Sequence, residues 1–351
     1  MSMKSKLSPE AATVIEQTLI EHKAFKRAVK RLRQAFKYAH ISAEPIGVAL
    51  LGESRSGKSR AIEEIEQDHP PTRDEEGAVV PILRMVTPAK PTVGGMASLM
   101  LKALGDPDWS KGTVVGLQGR LIDMVKLCKV RMIILEEFQH FVDSGSRKVI
   151  QDVANWTKTL AESTKVALVV AGLQDSLPVL LRDEQFTGRF GAPVYMPRFD
   201  WEDDEQREEF EAILEGFNDA MSVHFKLPKL HGEGMAFRLW CATGGLVGLL
   251  AKLLRQVVWN ACDEDRPVIK LSHFEDADAE CTWRVYTMEI PHLPFHPDFS
   301  TEVNQDLLAF GRGVGVRRDD EVDDPEARVT RRRKRAQAKG SESLAQALSA
   351  A

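Results

Sequence analysis

The stretch Gly52-Glu53-Ser54-Arg55-Ser56-Gly57-Lys58-Ser59 decides the fold, because its spacing is that of a phosphate-binding loop, G-x-x-x-x-G-K-[ST]. The glycines let backbone N–H groups turn inward around phosphate oxygens, Lys58 extends to the β- and γ-phosphates, and the Ser59 hydroxyl reaches Mg²⁺. The loop, with Arg60 beside it, is therefore the candidate nucleotide-binding set: Gly52, Glu53, Ser54, Arg55, Ser56, Gly57, Lys58, Ser59 and Arg60. The competing reading is a Gly/Ser-rich surface turn. The flanks favour the loop: Ile46 to Leu51 is an apolar run fit for a buried strand, and Arg60 to Ile65 has helical spacing.

Downstream, the apolar run Val130 to Leu135 ends in Glu136-Glu137. A strand that ends in two acids supplies the second half of a nucleotide hydrolase site. Glu136 joins Ser59 in the Mg²⁺ shell, and Glu137 polarises the attacking water. Further strands are expected at Val79 to Val86, Val166 to Ala171 and around Val194 to Met196. Helices are expected at Met96 to Leu104, Leu117 to Leu127 and Val149 to Ser163. This alternation predicts an α/β P-loop core with a five-stranded parallel sheet.

Before the core, residues 9–20 are expected to form a first helix. A second, from His22 to Tyr38, carries Phe25, Val29, Leu32 and Phe36 on one face. Its other face is basic, with Lys23, Lys26, Arg27, Lys30, Arg31, Arg33 and Lys37. That face suits phosphates or an acidic partner subunit, and equally a solvated surface. After Trp201 the pattern turns helical, as in a small lid. The expected divisions are an N-terminal helical extension (1–44), the ATPase core (45–200), a helical lid with a C-terminal extension (201–300) and a charged tail (301–351). The tail sets an acidic block against the basic run Arg331 to Arg335.

The 351 residues are 43% hydrophobic and 28% charged, an ordinary globular balance. The net charge of −5 excludes a uniformly basic nucleic-acid coat, so any DNA contact must be local. No apolar run is long enough to span a bilayer, and the polar start does not resemble a signal-peptide core. The expectation is a cytoplasmic protein with no membrane segment. Cys128, Cys241, Cys262 and Cys281 are widely spaced, without a zinc pattern, and read as free thiols.

The order phosphate loop, VTPAKPTVGGMASLMLKALGDP, IILEEFQHF, VVAGLQDS, QFTGRF and TGGLVGLLAKLL resembles the AAA+ ATPases of bacterial transposons, called TniB in one branch and TnsC in another. The resemblance covers about residues 20–260. It implies ATP and Mg²⁺ as cofactors and ATP-dependent assembly as a homo-oligomeric ring or helical filament on double-stranded target DNA. The implied partners are a DDE transposase and a TniQ-like target-selection protein.

Carried over by residue, Lys58 and Ser59 bind phosphate and metal, and Glu137 takes the place of the catalytic acid. Arg189 matches an arginine finger that completes a neighbour's site, which ties hydrolysis to oligomerisation. Gln174, after the fourth core strand, stands where related ATPases carry a polar residue that senses the γ-phosphate. Lys90, Arg147 and Lys148 fall in loops that face DNA in similar ATPases. Among the chain's departures from the family, Glu136 stands where Asp is usual, and no arginine opens the lid helix, leaving only Lys252 or Arg255 nearby. Both suit a slow switch. The alternative function is an AAA+ loader or remodeller acting on a protein partner, such as a replicative helicase.

Overall fold

β1 (Gly47–Leu51) is buried along its whole length, and its side chains alternate between two cores. Ala49 and Leu51 enter one, Val48 and Leu50 the other, as expected of a strand covered on both faces. The computed structural model that shows this describes residues 7–143, 147–177, 190–232, 234–281 and 290–315.

Four more strands join β1 in parallel: β4 (Ile82–Val86), β5 (Met132–Glu136), β6 (Ala167–Gly172) and β7 (Val194–Tyr195). Their spatial order is β4-β5-β6-β1-β7. β6 thus lies between the phosphate-loop strand and the strand that ends in acids, so the loop and the acids face each other across one strand's width. The helices Val93–Ala103, Val114–Leu127 and Arg147–Thr164 belong to one face of the sheet. Lys23–Tyr38 and Lys58–Asp68 cover the other. The first two begin at Thr92 and Thr113, whose hydroxyls accept from Gly95 N and Gly116 N.

The stretch from Thr72 to Val86, where one strand is expected from Val79, is instead a hairpin followed by a shorter strand. β2 (Thr72–Asp74) pairs antiparallel with β3 (Gly77–Val79). Asp74 Oδ1 accepts from Glu76 N at 2.9 Å and Gly77 N at 3.1 Å, which closes the turn, and Pro81 separates β3 from β4.

The expected helix over 9–20 is broken at Thr13 into Pro9–Ala12 and Val14–Gln17, and the chain is extended at Thr18. Ala11, Val14 and Ile15 are buried in the lid core against the helix Val247–Asp263. Only Lys23–Tyr38 packs on the sheet, so the segment expected as one N-terminal extension divides between the two parts of the molecule. On its basic face Lys23 pairs with Glu205, Arg33 with Asp68, and Arg27 donates to Tyr195 O. Lys26, Lys30 and Lys37 are exposed and make no ion pair among the described residues.

The lid comprises Asp204–Ser222, Met235–Thr243, Val247–Asp263 and Leu271–Cys281 around buried Trp240. Residues just past 300, expected to begin a charged tail, extend this core. The helix Gln305–Arg312 buries Leu307 and Leu308 there, and Phe295 and Phe299 precede it in the same cluster. Each such apolar side chain contributes about 1.5–3 kcal/mol, enough to hold a short segment in place. The basic run Arg331 to Arg335 lies outside the described residues. Among the described residues, no single helix is long and apolar enough to cross a membrane.

Candidate nucleotide site

The loop between β1 and the helix Lys58–Asp68 is pinned at its start by Gly52 N donating to Gly172 O at 3.1 Å. A Cβ at Gly52 would lie 2.2 Å from Met196 O, so only glycine passes between the neighbouring strands. Gly57 caps the helix, whose free N–H groups and positive dipole end face the loop. Lys58 Nζ donates to Gly52 O at 2.8 Å and Glu53 O at 2.7 Å, which draws the ammonium into the cradle. Burial lowers its pKa to about 8, against the raising influence of Glu137, Glu136 and Glu53. Ser56 Oγ is buried there without a hydrogen-bond partner. A lysine, an orphaned hydroxyl and a helix N-terminus converge as a polyphosphate requires.

The two acids diverge in role. Glu136 is buried at the end of β5, and its Oε2 accepts from Ser59 Oγ at 2.8 Å. A hydroxyl beside a carboxylate is a hard oxygen pair that fits Mg²⁺. Glu137 is exposed, with its backbone in the left-handed region at φ 52°. Its carboxylate accepts from Gln139 Nε2, and Gln139 Oε1 accepts from Leu173 N at 3.2 Å. Gln139 therefore joins the candidate base to the end of β6. Gln174, expected to serve there, is exposed on a short 3₁₀ turn, Gln174–Ser176. The polar link at this strand end comes from Gln139 instead.

Two arginines that the sequence reading missed complete the site. Arg84 Nε donates to Glu136 Oε1 at 2.6 Å, and Nη1 donates to Glu66 Oε2 at 2.8 Å. Arg198, just after β7, grips both carboxylate oxygens of Glu53. Neither residue stands in a motif, and each acquires its partner only from strand order.

A cleft of about 470 Å³ opens beside Gly57, walled by Ile15, Leu19, Phe25, Phe217 and Val247 with Arg55 at its edge. Apolar walls beside a phosphate cradle suit a planar base. Gly248 N donates to Arg55 O at 2.8 Å, docking the lid helix on the loop. Lys252 donates to Cys281 O. Arg255 lies 3.7 Å from Glu16 and stacks over Trp259, so both basic lid residues have other partners although they line the cleft.

Lys90 is exposed in the loop after β4. Arg147 and Lys148 open the helix Arg147–Thr164. Arg189 lies outside the described residues. The four cysteines form no disulfide.

Comparison with solved structures shows the same fold at low identity. An Aeropyrum pernix ORC2 structure, described as ADPNP-ADP complexes, superposes with a TM-score of 0.56 at 14% identity, covering 78% of this chain and 72% of that one. The Cdc6 protein of Pyrobaculum aerophilum gives 0.58 at 11%, with 78% and 72% covered. Aeropyrum pernix ORC1, solved in complex with DNA, gives 0.51 at 16%, with 79% and 71% covered. A search of curated proteins gives no match. The sequence model of the family described as "Bacterial TniB protein" matches residues 11–201. That span runs from the first short helix through the last core strand, so the chain belongs to the bacterial TniB family and is an AAA+ ATPase.

Proposed function

We propose that this ATPase is an ATP-gated regulator of DNA transposition, which assembles on duplex target DNA and recruits or activates a DDE transposase together with a TniQ-like target-selection protein. The family match carries the reading. Bound Mg²⁺ would offset charge on the β- and γ-phosphates, with Ser59 and Glu136 as its protein partners. Lys58 holds the phosphates, Glu137 orients the attacking water, and Arg189 reaches a neighbouring subunit's nucleotide, so that hydrolysis depends on assembly. Lys90, Arg147 and Lys148 lie along the DNA backbone. The DNA in the ORC1 complex, and in a Drosophila ORC structure described as bound to DNA, supports DNA binding by this fold.

The test is assembly on a duplex fragment, viewed by negative-stain microscopy with ATP, with ADP, and with Lys58→Ala plus ATP. Rings or filaments only for the unmutated protein with ATP are expected. Monomeric, DNA-free particles in all three would turn the reading toward a machine that acts on a protein partner.

A further inference from the structure

Ser59 and Glu66 lie seven residues apart on the helix Lys58–Asp68, two turns along the same face. Opposite them, Arg84 pairs in register with Ile134, and Val86 with Glu136. Arg84 and Glu136 are therefore diagonal neighbours on the sheet face that this helix covers. The four side chains close a loop. Ser59 Oγ donates to one oxygen of Glu136, Arg84 Nε donates to the other, and Arg84 Nη1 returns to Glu66 on the helix. The Glu136 side chain is 10% exposed and that of Arg84 26%, so the pair is shielded from competing water.

The loop bears on the unusual acid. Glutamate carries one more rotatable bond than aspartate, and a free glutamate at a strand end samples several rotamers. Here Oε1 is occupied by a fixed guanidinium, which leaves Oε2 on the Ser59 side. Resting on the metal-site reading of Ser59 and Glu136, we infer that Arg84 is a positioning residue: it fixes Glu136 so that Oε2 and the Ser59 hydroxyl present one preformed oxygen pair to Mg²⁺, and it lets glutamate do the work of the shorter acid. Partners that orient a metal ligand in this way typically change metal affinity by about 10–100-fold when removed.

The measurement is binding of a non-hydrolysable ATP analogue, followed by fluorescence, as a function of Mg²⁺ concentration. Arg84→Gln raises the half-saturating Mg²⁺ concentration by about tenfold while binding in EDTA stays as in the parent protein. Arg84→Lys, which keeps a cation beside Glu136, recovers most of the shift. Glu66→Gln, which loosens only the far anchor, gives a smaller shift in the same direction. Thermal unfolding of each variant establishes that it is folded, and if Arg84→Gln does not fold, Glu66→Gln carries the test. An unchanged Mg²⁺ dependence in a folded Arg84→Gln protein overturns the proposal. So does a lowered requirement, since it would make Arg84 a charge damper that opposes the metal. Ser59→Ala separates the two levels: if it too leaves the Mg²⁺ dependence unchanged, the metal-site reading itself fails.

Discussion

Arg198 holds Glu53 of the phosphate loop at both carboxylate oxygens, with Nε 2.7 Å from Oε1 and Nη2 against Oε2. Its remaining N–H groups reach Gly244 O at 3.4 Å, Arg312 O at 2.9 Å and Val314 O at 3.1 Å. One side chain thus ties the nucleotide loop to the lid and to the C-terminal helix. Its own exposure is only 15%. Arg198→Ala is expected to lower stability by about 2–4 kcal/mol, because it leaves a carboxylate and three carbonyls without their donor. Arg198→Lys recovers less than half of that, since an ammonium cannot fork across a carboxylate. Urea unfolding checks both, and a fully stable Arg198→Ala protein would mean that the clamp contributes nothing.

Nucleotide affinity should fall as pH rises past 8. Lys58 titrates near 8 because burial disfavours its charge, and a bound phosphate restores the proton. Above that pH, binding takes up a proton and affinity drops toward about tenfold per pH unit. Lys58→Arg removes the dependence, as guanidinium stays charged. Folding stability moves the other way. The folded value lies below that of the unfolded chain, so the unfolded state holds more protons above pH 8 and this contribution rises with pH. Below pH 8 both states are protonated and it is constant. Titration with a fluorescent nucleotide over about pH 7 to 9.5, which spans the lysine transition, reads the first effect.

Gln139 stands between Glu137 and Leu173 N, so Gln139→Ala both frees the candidate base and strands a backbone donor. The expected outcome is a fall in kcat of about tenfold with KM unchanged, as for loss of an orienting partner. Stability falls by about 1–2 kcal/mol. Gln174→Ala should leave both parameters near parent values, because Gln174 is exposed. A large loss of kcat in Gln174→Ala with none in Gln139→Ala would reverse the assignment.

The lid reports on the loop through Gly248. A Cβ there would sit 2.6 Å from Arg55 O, against the backbone that Gly248 N now binds. Gly248→Ala is therefore expected to push the lid helix off the loop and weaken nucleotide binding by about tenfold or more, a loss of at least one backbone hydrogen bond. Calorimetric titration with ADP measures it, and parent-like affinity would show that the cleft does not need the lid in place.

The chemistry was legible in the sequence where it is contiguous. Gly52 to Ser59 and Glu136-Glu137 can be read because each motif carries its own residues in fixed order. Arg84, Gln139 and Arg198 could not be read so, since an isolated polar residue becomes functional only when strand order supplies its partner. A pointer did exist for Arg84: it is the only charged residue in an otherwise apolar strand, Ile82 to Val86. The fold's alternation was equally plain, but its margins were not. Thr13 interrupts a helical pattern by bonding back to Glu10 O, and the Gln305–Arg312 helix, at 8 residues, is too short for a helical period to stand out beside the charged stretch beyond it. The basic face of Lys23–Tyr38 resolves in part, with Lys23, Arg27 and Arg33 engaged within the chain and Lys26, Lys30 and Lys37 facing solvent.

The short helices Pro9–Ala12 and Val14–Gln17 pack into the lid, whereas Lys23–Tyr38 packs on the sheet, and the chain returns to the lid once more after β7. The connection is thus double, through residues 18–22 and again near Phe199 and Asp200. A single tether would let a domain swivel in any direction, but two tethers define a line, and rotation about that line is the soft motion left to a rigid pair. The base cleft lies between the two bodies, with Ile15 and Phe217 on one and Phe25 and Gly57 on the other. The cleft lies along the line between the two crossings, so any change in the angle between the bodies would be felt there first.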